Sequence, residues 1–211
     1  MIKLIQQQEQ LDIHIEADLL NTSSDYFDLE ALKSSIVMQL HRVFNRYVGK
    51  YKLHVSISIT VLKSVSQCSP RKILFQVVDS IHHNNVADAV LKGMRIRLHK
   101  KVIQDILSNS NVRTIPHEVG HLFGWSHPHA NATFESINKD ANTLEQQLTE
   151  EERQCNLMSQ TWYVQGANVP INEALQITEQ QISLLLENDY FKQINNNYHL
   201  NYFLFWKKLA P

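Results

Sequence analysis

Leu11, Ile13 and Ile15 alternate with Asp12, His14 and Glu16, the pattern of a half-buried strand over 11–16. Residues 21–28 are turn-like, and Asp28 is placed to cap a helix starting at Leu29. Leu29, Leu32, Ile36, Leu40, Val43 and Tyr47 then recur at helical spacing, which predicts a helix over 29–47 ended by Gly49. Leu53, Val55, Ile57, Ile59 and Val61 share one face of a strand over 53–61. Residues 72–78, KILFQVV, read as a more buried strand. After a polar turn, short strands are expected near 86–91 and over 94–99.

Residues 128–157 are rich in Asn, Gln and Glu and are expected to form an irregular excursion with a short helix near 143–153. A last helix begins at Thr178, where TEQQ reads as a capping box with Gln181 in its third position. The aromatic tail HLNYFLFWKK is expected to pack on the core. Strand, helix, several strands and a second helix describe an α+β (α/β-type) chain with one mixed sheet.

The chain has 211 residues, 43% hydrophobic and 19% charged, enough for one domain with a real core. Its net charge of −1 offers no basic excess for nucleic acid or an anionic membrane. No apolar run approaches the roughly eighteen residues of a membrane span. The first ten residues turn polar at once and hold no secretory h-region, so a signal is either not used or already removed; the sequence does not specify a compartment. Cys68 and Cys155 form one disulfide or remain thiols, and a chain this long needs no staple, which favours thiols.

The chemistry concentrates in HEVGHLFGWSH, residues 117–127, which holds three of eleven histidines and two of five glycines. His117 and His121 are four apart, so on a helix their side chains leave one face, one turn apart. His127 lies six further on. At about 100° per residue it would face roughly 240° away if the helix continued. The chain must turn back between them, and Gly124 permits that turn because glycine adopts the left-handed conformation at little cost. Thr114 is expected to cap this helix, and Pro116 is tolerable in its first turn. Three neutral imidazoles leave one position of a four-coordinate zinc open, as in catalytic sites. Glu118, beside the first histidine, is placed to take a proton from a water there.

This stretch resembles the signature of the metzincin zinc endopeptidases, H-E-x-x-H-x-x-G-x-x-H followed by a Met-turn. His117, Glu118, His121, Gly124 and His127 meet it. The segment CNLMSQT, residues 155–161, is similar to the Met-turn, with Met158 beneath the metal. The resemblance implies a single catalytic domain over 1–211. Its upper subdomain, about 1–124, would carry a mixed twisted sheet and two long helices. A smaller irregular lower subdomain, about 125–211, would lie across an active-site cleft and end in a C-terminal helix. It also implies one catalytic Zn2+ held by His117, His121 and His127, with Glu118 activating the zinc-bound water and Gly124 and Met158 supporting the site. The substrate would be a peptide or protein, laid along the edge strand near 86–91, with 159–169 lining the pocket beyond the cut bond.

Gln160 stands where some metzincin branches carry a metal-facing tyrosine; Tyr163 substitutes only if the loop bends suitably. No pro-segment precedes the first strand, and Cys68 lies among the strands, so latency would come from removed sequence, an inhibitor or a delivery partner. His129 is the rival to His127, disfavoured by spacing. Glu150, Glu151 and Glu152 read as a solvated helix face. His14, His54, His82, His83, His99 and His199 have no partner at ligand spacing. Two other functions fit less well: a metal-binding but inactive peptide- or protein-binding module, which would usually lose Glu118, and a zinc hydrolase of a non-peptide substrate.

Overall fold

A computed structural model describes residues 1–82, 85–90, 93–127, 149–159 and 170–187. Its centre is β2 (Gln10–Asn21), whose Leu11, Ile13, Ile15, Ala17 and Leu19 are buried on one face. On one side β2 pairs in parallel with β4 (Tyr51–Val61). On the other, its first half pairs antiparallel with β1 (Ile2–Gln7) and its second half in parallel with β5 (Ile73–Val78). The strand β3 (Arg46–Val48) runs antiparallel at the β4 edge. Beyond β5 lie β7 (Arg95–His99), parallel, and β6 (Ala87–Ala89), antiparallel at the far edge. The described residues therefore form a mixed α+β fold with one seven-stranded sheet.

Helix α1 (Leu29–Phe44) packs on β2 and β4. Asp28 caps it as expected, its carboxylate accepting from the backbone N–H of Glu30 and Ala31 at 3.1 and 3.0 Å. Leu32, Ile36, Leu40, Val43 and Phe44 are fully buried, each contributing about 1.5–3 kcal/mol. A short helix α2 (Ile103–Leu107) leads to α3 (Thr114–Leu122), which packs against α1 and β6. Two further helices, α4 (Glu150–Cys155) and α5 (Glu179–Glu187), complete the described residues. None of the helices described is long and apolar enough to cross a membrane. Cys68 and Cys155 are both free thiols.

Several expectations need correction. The polar opening, to which the pattern assigns no element, is a strand: β1 turns into β2 through Gln8, at φ 57°. Helix α1 stops at Phe44, not Tyr47, because Asn45 leaves helical geometry and its side chain accepts from the Val55 N–H at 2.7 Å. Tyr47 is 72% exposed and sits in β3. Gly49, at φ 54°, makes the β3–β4 turn, where Glu179 of α5 accepts from the Lys50 N–H at 3.2 Å; a Cβ on Gly49 would collide with that carboxylate. Helix α3 has nine residues, shorter than the long helix the resemblance implies. Of the short helix expected near 143–153, residues 143–148 lie outside the described residues, and the part described is helical from Glu150 to Cys155. Most of the 128–157 excursion, and the tail from 190 onward, lie outside the described residues.

Candidate metal centre

The start of α3 is built by Asn111, not Thr114. The Asn111 side-chain oxygen accepts from the N–H of Arg113 and Thr114 at 3.3 and 3.0 Å, while its amide donates to the Thr114 hydroxyl at 2.9 Å. Thr114 is thus the first helical residue, and Pro116 falls in the first turn, where its missing N–H is harmless. At the other end Gly124 takes φ 89°. The Gly124 N–H donates to His121 O and the Trp125 N–H to Gly120 O, both at 3.0 Å. That bond pair is the Schellman closure of a helix. It reverses the chain within one turn and brings His127 back to the helix.

His117, His121 and His127 consequently converge. Their ligand nitrogens lie within 4.8 Å of one another, a group that could hold a metal ion. His117 donates through Nδ1 to Leu157 O at 2.8 Å, and His121 through Nδ1 to Trp125 O at 2.8 Å. A carbonyl only accepts, so both Nδ1 atoms carry the proton and both Nε2 atoms present lone pairs. Burial, with the neighbouring histidines and Arg113, holds His117 well below the usual imidazole range, and burial lowers His121 to about 4. Both are therefore uncharged at neutral pH. His117 Nε2 and His127 Nε2 are 3.2 Å apart. Two nitrogens bound to one tetrahedral zinc at 2.0–2.1 Å would stand about 3.3 Å apart.

Glu118, the residue after His117 on α3, is buried, and its Oε2 has no hydrogen-bond partner among the described residues. Burial, and then Asp88, pushes its carboxyl up to about 8, with Arg113 opposing. A buried carboxylate oxygen without a partner, on the residue next to a histidine with a free lone pair, fits a site completed by a cation and a polar ligand.

No family model matches the chain, and no curated protein matches it. Among solved structures it is similar to archaemetzincin from Methanopyrus kandleri, at 10% identity and TM-score 0.43, covering 82% of this chain and 94% of that one. It is likewise similar to archaemetzincin from Archaeoglobus fulgidus complexed with malonate, at 16% identity and TM-score 0.43, covering 81% and 99%.

Sequence reasoning missed three supports of this centre. The first is Gly120. A Cβ there would lie 2.4 Å from Met158 Sδ and 3.1 Å from Trp125 Cε3, so the glycine lets Met158 and Trp125, both fully buried, seat against the helix. A glycine inside a helix, at a cost of about 1 kcal/mol against alanine, was the available signal. The second is the pair Asn156 and Gln181, buried amides bonded to each other at 3.0 and 3.2 Å. Gln181 also closes the expected capping box with Thr178, through bonds of 2.9 and 3.3 Å. Asn156 accepts from the Met158 N–H at 2.9 Å, so the cap of α5 also holds the turn at Met158. The third is Arg113. His129, Gln160, Tyr163 and the rest of the expected 159–169 pocket beyond Ser159 lie outside the described residues.

Gly120→Ala gains about 1 kcal/mol of helix propensity but overpacks a site with no room, at a cost of about 1–3 kcal/mol. The expected outcome is a lower denaturation midpoint, with the loss reduced in the Gly120→Ala/Met158→Ala double variant relative to the sum of the singles. A Gly120→Ala protein more stable than the parent would show that Met158 does not seat there.

Proposed function

We propose that this chain is a zinc-dependent endopeptidase, with residues 1–211 forming one catalytic domain divided near Gly124 into upper and lower subdomains. The observation that carries the reading is the convergence of His117, His121 and His127, with Glu118, the residue next to the first of them, holding a buried Oε2 that has no partner among the described residues. The match of the same residues to the metzincin signature supports it.

His117, His121 and His127 would hold the ion. Zinc bound there would act as a Lewis acid, polarising the scissile carbonyl and lowering the pKa of a water to about 7. Glu118 accepts the proton as the water attacks the carbonyl carbon, then delivers it to the leaving amine as the C–N bond breaks. Burial raises the proton affinity of its carboxyl; a cation on the three histidines would favour the carboxylate, so that Glu118 starts as the base and, having taken the proton, can deliver it. Leu157 O and Trp125 O fix the tautomers of His117 and His121, as second partners of metal-bound histidines do. Gly124 turns the chain so that His127 completes the set, and Met158 supports the helix from below at Gly120. The edge strand β6 packs beside α3, where an extended peptide can add as a further strand.

The test is metal analysis followed by mass-spectrometric mapping of cuts in a proteome-derived peptide library. About one zinc per chain is expected, with internal cuts that a chelator abolishes and zinc restores. Zinc loading without any cut peptide would favour the binding-module reading, in which the same site holds a peptide and leaves it intact.

A further inference from the structure

We propose that Arg113 is a positioning residue for the histidine centre: it grips the carbonyls on either side of Met158 and so holds the one carbonyl that orients His117. Arg113 is 6% exposed. Its Nε donates to Ala174 O at 3.0 Å, and its Nη2 donates to Leu157 O at 2.7 Å and to Ser159 O. Leu157 O also accepts from His117 Nδ1. One carbonyl oxygen therefore joins the guanidinium to the imidazole. The backbone closes the same loop, because the His117 N–H donates to Arg113 O at 3.0 Å.

The hydrogen bonds of this guanidinium among the described residues all go to backbone carbonyls. What arginine provides here is a rigid fork of donors that can meet several carbonyls at fixed angles. Lysine has one ammonium on a flexible stem and cannot span the same set. Asn156 holds the Met158 turn from its other end, so the turn is clamped on both sides while His117 leans on its middle.

The role rests on the zinc-peptidase reading only for its consequence in metal binding; the orientation of His117 can be read without metal. In the metal-free protein, exchange of the His117 Nδ1–H is followed by nitrogen-resolved NMR. Zinc affinity is measured separately by chelator competition. Arg113→Lys should speed that exchange about tenfold and weaken zinc by about 10–100-fold, the range for outer partners of metal-bound histidines. Leu32→Ala, a core truncation in α1, should leave both within threefold. Unchanged exchange in Arg113→Lys, or unchanged zinc affinity, overturns the proposal. Equal losses in Leu32→Ala overturn it too, because they would reflect general instability. If the parent binds no zinc, the peptidase reading fails and the imidazole exchange alone decides the role of Arg113. If Arg113→Lys does not fold, the parent decides: the Arg113 Nη–H and His117 Nδ1–H, each measured against the exchange rate of its free side chain, should show protection within threefold of each other, and a wider gap overturns the proposal.

Discussion

Glu118→Gln is expected to keep the fold and the zinc while losing at least about 10²-fold in turnover, the lower end for a positioned acid–base group. Glutamine matches glutamate in size, so α3 and its contacts with α1 and β6 have no reason to move. Its amide, however, cannot accept a proton at neutral pH. Glu118 is not needed as a ligand, because three imidazoles already converge without it. Binding and chemistry should therefore separate. The check is turnover at confirmed full zinc loading; activity within threefold of the parent would remove Glu118 as the base. Stability of the metal-free protein supplies a second readout. A carboxyl raised from 4.5 to about 8 contributes stability present below pH 4.5 and lost as pH rises through about 8. Glutamine has no such titration. Metal-free Glu118→Gln should thus gain on the parent as pH rises through that window.

The second large effect concerns the ligand set. His117→Ala, His121→Ala and His127→Ala should each weaken zinc by more than the roughly 10–100-fold that loss of an outer partner costs, whereas His129→Ala should leave affinity within threefold. The distinction rests on the turn. Gly124 at φ 89° folds the chain so that His127 Nε2 comes 3.2 Å from His117 Nε2. Chelator competition on the four purified variants decides it. Zinc retained by His127→Ala and lost by His129→Ala would mean that the ion sits on a different third ligand.

Local pattern made much of this legible. Alternation along Leu53–Val61 marks a strand because successive side chains face opposite sides, and the four-residue step from His117 to His121 marks one helix face. The turn at Gly124 comes from the same geometry: His127 cannot join the others on a continuing helix. Asp28 and the Thr178–Gln181 pair were readable because caps act within three residues of themselves. Strand β1 was not, since only Ile2 along it is buried and an exposed strand shows little alternation. Tyr47 extended the helical spacing of α1 by coincidence, and the helix ended earlier because Asn45 found Val55, ten residues away.

The sequence by itself determined the elements that alternate or recur and the order of the histidines along them, because these depend on neighbours within a turn or two. Only the tertiary structure decided what surrounds them. Arg113 meets Leu157, Ser159 and Ala174, Gly120 meets Met158, and Asn156 meets Gln181 across separations of 25 to 61 residues. Such partners leave no periodic trace: an arginine before a helix or a glycine within one has the same sequence signature whether its partner is solvent or a carbonyl brought there by the fold.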